Sequence, residues 1–257
     1  MLTSLQNPLV KQMRKLHQAK ERRQQQLFLV EGTHLLEAAC AAGHTFRALC
    51  YTQIWQERYP DLWREASQRA ERVELVSPEV LRAIATTVEP DGVVATLSRT
   101  APPAPSFQTL GLVLQTIQDP GNLGTLIRTC GAVGADGLLL SQDCVDPDHP
   151  KVLRASAGQW FQVPIAIRAD LETEIRQYQQ GGMQVIATLP GATQTYWDID
   201  LRQPSLILLG NEGAGLTPPL ANLADQAVTI PQKAGVESLN VAIAAALILY
   251  EAKRQRR

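Results

Sequence analysis

Three stretches of the chain carry side chains that a packed core does not need. In the first, Glu237-Ser238-Leu239-Asn240 precedes a run with no polar side chain until Tyr250. A helix that is apolar all round is normally buried. Ser238 and Asn240 then fall where a buried helix opens, beside backbone N–H groups that have no intrahelical partner. One cap satisfies such an end, so several polar groups there point to a bound ligand. In the second stretch, Asp119-Pro-Gly-Asn-Leu-Gly runs from a strand end into a helix and carries Asn122 and Arg128. Gly121 and Gly124 allow close backbone approach, and a helix N-terminus favours an anion. Asn122 and Arg128 border one cleft if Asn122 lies in the loop; otherwise this is a glycine-rich turn with a surface arginine. In the third, Leu206 to Leu216 ends an apolar strand in a Gly-rich turn carrying Glu212. Open α/β sheets bind ligands at the carboxyl ends of their strands; the alternative is a tight turn with one exposed acid. Arg154, beside Ser156 and Gly158, asks for an anionic partner, whereas a helix cap accounts for the glycine.

Several chemistries are disfavoured. The glycine spacing is neither G-x-G-x-x-G nor a Walker loop, which weakens dinucleotide and nucleoside-triphosphate readings. Cys40, Cys50, Cys130 and Cys144 show no Cys-x-x-Cys spacing and the four histidines are scattered, so reduced thiols and no metal are expected. No apolar run approaches the ~20 residues that span a bilayer. The N-terminus lacks a basic segment followed by an apolar one. These features predict a cytoplasmic protein with no membrane partner. A net charge of −1 argues against a non-specific nucleic-acid coat. Yet residues 1–30 hold Lys11, Arg14, Lys15, Lys20, Arg22 and Arg23 against Glu21 alone. That run is either a solvated helix face or the footprint of a phosphate backbone.

The elements that must position these groups follow from periodicity. Asn7-Pro8 starts a helix, with Leu5, Leu9, Met13 and Leu16 at helical spacing. Residues 1–23 read as this basic helix. Residues 24–98 alternate strand and helix, with strands at 27–30, 48–52, 73–76 and 93–97 and helices at 32–42, 56–70 and 78–85. Residues 99–108 form a proline-rich linker. From 109 to 257, apolar runs at 112–117, 137–141, 184–188, 206–209 and 227–230 suit buried parallel strands, with crossovers at 122–133, 151–159 and 171–180. The fold class is α/β, with a larger parallel-sheet domain after a smaller one.

Asp119 to Gly134, Leu209 to Leu216 and Ile230 to Glu251 occur in the order of three motifs, and the region 110–257 resembles the SpoU/TrmH family of the SPOUT superfamily. Those proteins are S-adenosylmethionine-dependent RNA ribose 2′-O-methyltransferases. Ser4-Leu-Gln-Asn-Pro-Leu-Val-Lys and Phe28-Leu-Val-Glu-Gly look like the entry to the substrate-binding domain of the rRNA-modifying branch. The resemblance implies a SPOUT domain with a deep trefoil knot, and a homodimer whose sites are built across both subunits. It implies S-adenosyl-L-methionine as cofactor, contacted at Leu189, Gly191, Gly210, Ile230, Ser238 and Leu239. Asn122, Arg128, Glu212 and Asn240 match catalytic and RNA-facing positions. Lys11, Arg14, Lys15, Arg22, Arg23 and Arg154 are the candidates for contacting a structured RNA, with rRNA favoured. DNA is not expected, since only RNA offers a 2′-hydroxyl. A tRNA target, or an RNA-binding assembly protein without chemistry, are the alternatives. Gln232 stands where the family has an apolar residue, and Ala234 where it has glycine.

Overall fold

The computed structural model describes residues 1–99, 104–233, 235, 236 and 238–257. Residues 100–103 of the proline-rich linker, together with Ala234 and Glu237, lie outside the described residues. The chain forms two compact units, Met1–Ala101 with Asp148–Phe161, and Pro102–Pro147 with Gln162–Arg257.

The first unit opens with α1 (Pro8–Lys15) and α2 (Ala19–Gln25), so the basic stretch is two short helices rather than one. Asn7 caps α1 by accepting from the Leu9 N–H, as the Asn-Pro pair predicts. Leu9, Met13 and Leu16 are buried; Leu5 precedes the cap and is exposed. There follow β1 (Leu27–Glu31), α3 (Thr33–Ala41), β2 (Ala48–Tyr51), α4 (Gln53–Arg58), α5 (Pro60–Gln68), β3 (Val73–Leu75), α6 (Pro78–Ile84) and β4 (Val93–Ser98). The single helix expected at 56–70 breaks at Tyr59, because Pro60 lacks an N–H and disfavours helical geometry before it. The sheet runs β1-β4-β2-β3, with β2 and β3 parallel and the other pairs antiparallel. Side chains alternate across it. Phe28 and Val30 join the core formed with α3, whereas Leu29 joins the one formed with α1 and α6. Both faces of the sheet are therefore covered.

The second unit begins with β5 (Leu110–Leu114), α7 (Pro120–Val133) and β6 (Gly137–Ser141). The next stretch belongs to the first unit. There α8 (Pro150–Ala155) and a 3-10 turn (Gln159–Phe161) bring Leu153, Trp160 and Phe161 to the cluster containing Phe28. The region 109–257 is thus not one unbroken unit, and the segment expected as a crossover helix fills another core. The second unit resumes with β7 (Ile165–Arg168), α9 (Leu171–Gln180), β8 (Gln184–Thr188), β9 (Gln194–Thr195), β10 (Ser205–Leu209), α10 (Pro218–Ala221), β11 (Gln226–Thr229) and α11 (Val241–Gln255). Its seven strands are all parallel, in the order β7-β6-β5-β10-β8-β11-β9. Continuous apolar sequence marks the central β5 and β10, which are buried throughout. Among the described residues no helix is long and apolar enough to cross a membrane.

One expectation fails on α11. Its apolar sequence predicts burial all round, yet Ile243, Leu247 and Tyr250 are 54%, 37% and 53% exposed. They recur three or four residues apart, so they form one stripe on the helix. The opposite face, with Val241, Ala245, Ile248, Leu249 and Ala252, is buried.

Candidate active site

The three sequence stretches converge at the carboxyl ends of the central strands. Asp119 caps α7 by accepting from the Asn122 N–H, which puts Asn122 inside the first helical turn rather than in the loop. Asn240 caps α11, its side-chain oxygen accepting from the N–H groups of Ala242 and Ile243. The Asn240 amide nitrogen donates to the Asn122 side-chain oxygen at 2.9 Å. The Asn122 amide nitrogen donates in turn to Glu212 Oε1 at 2.8 Å. Both ends of this chain fix its polarity, since backbone N–H groups only donate and a carboxylate only accepts. The two amides therefore have one consistent orientation, running from the positive end of α11 to the carboxylate of Glu212.

Glu212 is held by a turn that folds back on itself. Asn211 and Gly215 exchange backbone hydrogen bonds at 3.1 and 2.9 Å. The Asn211 side chain accepts from the Gly213 and Ala214 N–H groups and donates to the Thr116 carbonyl, each at 2.9 Å. A Cβ at Gly210 would fall 2.1 Å from the Gly215 carbonyl carbon, so only glycine fits there. Asn211 was not singled out from sequence. Its signal is an Asn inside a Gly-rich turn, where its side chain can substitute for backbone partners.

Beside this turn lies a cleft of about 300 Å³ between the ends of β8, β10 and β11 and the start of α11. Leu189, Gly210, Ile230, Ser238 and Leu239 line it, as does Glu212. Gly191 is not among its lining residues; it sits in open space with a φ of +78°. Thr188, Pro190, Asn211 and Thr229 also line the cleft and were not anticipated. Gln232, one of the departures from the family pattern, faces it as well. The walls combine apolar side chains and backbone groups with the polar side chains of Thr188, Asn211, Glu212, Thr229, Gln232 and Ser238, which suits a small ligand having apolar faces and defined polar edges.

Arg128 stands apart. Six residues beyond Asn122 on one α-helix, it is turned about 120° away and ~9 Å further along the axis. It is exposed, on the α7 face that also exposes Thr125. Thr125 in turn borders a concave surface with Ile243, Leu247 and Tyr250 of α11. Cys130 on the buried side of α7 is no nucleophile: burial pushes its thiol up to about 12.

The candidate RNA contacts in the first unit separate into two groups. Lys11, Arg14, Lys15 and Arg23 are exposed. Arg22 is 1% exposed; its Nε donates to Asp148 at 3.2 Å and its Nη1 to the Leu16 and His17 carbonyls. It is a buried structural ion pair and not a surface contact. Arg154 is engaged by Glu31 at 3.0 Å and by the Thr86 hydroxyl at 2.7 Å, so the anionic partner its sequence calls for is internal. Neither position could be told from its exposed neighbours by charge pattern alone.

Comparison with known proteins gives the family. Residues 109–250 match the SpoU rRNA Methylase family and residues 7–95 the MRM3-like substrate binding domain. An uncharacterized tRNA/rRNA methyltransferase of Synechocystis sp. is 50% identical over 99% of this chain and 94% of its own length. A 23S rRNA guanosine 2′-O-methyltransferase of Bacillus subtilis is 30% identical over 97% of both. The crystal structure of an AdoMet-bound rRNA methyltransferase from Sinorhizobium meliloti superposes with a TM-score of 0.88 at 35% identity, covering 98% of this chain and 97% of that one. The chain belongs to the SpoU rRNA Methylase family.

Proposed function

We propose that the protein transfers a methyl group from S-adenosyl-L-methionine to a ribose 2′-hydroxyl of rRNA, leaving S-adenosylhomocysteine and releasing the hydroxyl proton. The observation that carries this reading is the hydrogen-bonded series Asn240–Asn122–Glu212 at the lip of the cleft beside Gly210. It joins all three sequence motifs in one place. The residues present fit the cofactor: apolar side chains, glycine backbone and polar side chains share the cleft, and the Thr188 hydroxyl is buried there with no partner among the described residues. When bound, the cofactor supplies an electrophilic methyl on a sulfonium.

The chain's own residues must then align the ribose oxygen and stabilise its developing charge. Asn122 and Asn240 hold Glu212 in one place at the junction between the cofactor cleft and open solvent, where an acceptor can approach. Arg128 is the phosphate clamp and alkoxide stabiliser. A guanidinium stays protonated, so it acts as a donor and not as a base. Because Arg128 faces away from Asn122, it serves the site of a second copy. The exposed stripe Ile243, Leu247 and Tyr250 next to Thr125 supports a homodimer through α7 and α11. The strand order, in which the last helix follows β11 yet packs on α7, is consistent with the family's trefoil knot. Lys11, Arg14, Lys15 and Arg23 supply the RNA-facing charge, residues 24–98 form the substrate-binding domain, and the protein works in the cytoplasm. Relatives similar over most of their length and named as 23S rRNA 2′-O-methyltransferases, from Bacillus subtilis and Streptomyces viridochromogenes, favour rRNA over tRNA.

The test is transfer of tritiated methyl from S-adenosylmethionine to rRNA, with ribose methylation mapped by mass spectrometry. A single 2′-O-methylated nucleotide is expected. Cofactor binding without transfer to any RNA supports a binding protein on the same scaffold instead.

A further inference from the structure

We infer that Thr188 is a cofactor-holding residue, its hydroxyl hydrogen-bonding the adenosine end of S-adenosylmethionine; this rests on reading the cleft as the cofactor site. Thr188 is the last residue of β8, paired in register with Val228 of β11. The neighbouring residue on the same strand, Ala187, pairs with Leu208 of β10. Thr188 therefore lines the cleft at the carboxyl edge of the sheet. Its side-chain oxygen is buried and has no hydrogen-bond partner among the described residues. Buried hydroxyls are nearly always satisfied, because an unmade bond there loses the water it had in the unfolded chain. Four other buried side-chain atoms lack partners, on Gln25, Trp63, Ser67 and Trp160, and none of these residues lines the cleft. Among the described residues Thr188 alone combines an unmet hydrogen-bonding group with a place in the ligand site.

The end of the cofactor that this hydroxyl meets follows from desolvation. Among the described residues that line the cleft only Glu212 is charged, and it belongs to the turn after β10, whereas Thr188 ends β8. Burying a carboxylate or ammonium against a neutral hydroxyl costs far more than burying a nucleoside edge. The zwitterionic methionine end belongs toward the polar lip formed by Asn211, Glu212 and Ser238, which leaves the adenosine for Thr188. A hydroxyl that both donates and accepts can meet a ring nitrogen, the exocyclic amine or a ribose hydroxyl equally well.

The experiment compares Thr188→Val and Thr188→Ser with the native chain by calorimetric titration of S-adenosylhomocysteine and 5′-methylthioadenosine, and by melting of the free proteins. Valine keeps the shape and removes the hydroxyl; serine keeps the hydroxyl. The expected result is a roughly tenfold weaker binding of both ligands by the valine variant, about one hydrogen bond, with near-native binding by serine. The free valine variant should melt at or above the native temperature, since it no longer buries an unsatisfied group. Equal affinities for native and valine chains overturn the inference, as does a loss confined to the amino-acid-bearing ligand. A lowered melting point in the valine variant with unchanged affinity assigns Thr188 to structure and overturns it too. A native chain that binds neither ligand overturns both this inference and the reading of the cleft.

Discussion

Asn122 and Glu212 lie 90 residues apart in the chain, and the side-chain nitrogen of one donates to the carboxylate of the other at 2.8 Å. The bond joins the first turn of α7 to the turn after β10, and Asn240 extends it to the start of α11. Replacing Asn122 by Asp keeps the shape but removes the donor to Glu212 and sets a second carboxylate against it. Turnover should fall roughly 100-fold, the size of effect seen when one preorganised polar group is lost. Affinity for S-adenosylhomocysteine should change little, because Asn122 does not line the cleft. Single-turnover methyl transfer together with titration checks both, and native turnover in the variant would refute the role.

Arg128→Ala should abolish most methyl transfer while leaving cofactor affinity intact. Lysine at this position should restore only part, since it lacks the planar fork of donors. A mixing experiment tests whether the arginine serves the other subunit. Refolding Arg128→Ala with Asn122→Asp creates mixed dimers with one complete site if Arg128 acts across the interface. About a quarter of native activity is then expected, because half of the dimers are mixed and each carries one good site of two. If both groups act within one chain, mixing restores nothing.

Much of this site was legible in the sequence because each part lies at a strand-to-helix turn, where Gly, Asn and an isolated acid leave a local signal. Asn122, Glu212 and Asn240 were found that way. The order of their hydrogen bonds was not, since it depends on which strand ends are neighbours in the sheet. The same limit explains Arg22. It belongs to the same basic run as Lys11 and Arg23, and only the arrival of Asp148 from 126 residues away buries it. Asp148–Phe161 shows the limit for packing: Leu153, Trp160 and Phe161 have an apolar pattern that fits either core. The exposed stripe of α11 departs from the expected all-round burial for a related reason: an apolar pattern marks side chains that avoid water without saying what covers them.

Asp148 accepts from both Arg22 and Arg99 inside the first unit. Removing it takes a buried carboxylate away from the buried Arg22 guanidinium. Asp148→Ala should cost about 3–5 kcal/mol, the range for breaking a buried pair from one side. The exposed pair Arg47–Glu71 provides the contrast, and Glu71→Gln should cost less than ~1 kcal/mol. Urea midpoints for the two variants should differ clearly; equal midpoints would show that the Asp148 cluster is not what fixes Asp148–Phe161 to its core.

The Arg254 guanidinium holds the Glu251 carboxyl down to about 2, from an ordinary value of 4.5. Gln255 also donates to Glu251, and bonds in turn to Ile199 and Leu201. A depressed folded pKa means that the carboxylate contributes stability above about pH 4.5, and that this is lost progressively as the pH falls toward 2. Solvent around Arg254 screens the pair, so the contribution is modest. Glu251→Gln should show a flatter fall in melting temperature through that window, with little difference below it. Parallel acid limbs for the native and variant chains would remove Glu251 from the pH response.

The exposed stripe of α11 gives the most direct test of assembly. Ile243, Leu247 and Tyr250 expose apolar surface on one face of a helix whose other face is core, and Thr125 of α7 borders the same concavity. Contiguous exposed apolar surface of this kind is what the proposed dimer would cover. Ile243→Glu would place a carboxylate in that contact, twice over in a symmetric dimer. The variant should sediment as a monomer with native circular dichroism, retain cofactor binding in part, and lose methyl transfer because Arg128 no longer reaches a second site. Ile54→Glu on α4 is the control: Ile54 is 74% exposed but belongs to the first unit, so this change should leave the dimer and its activity intact. A native chain that sediments as a fully active monomer would reject both the interface and the trans role of Arg128.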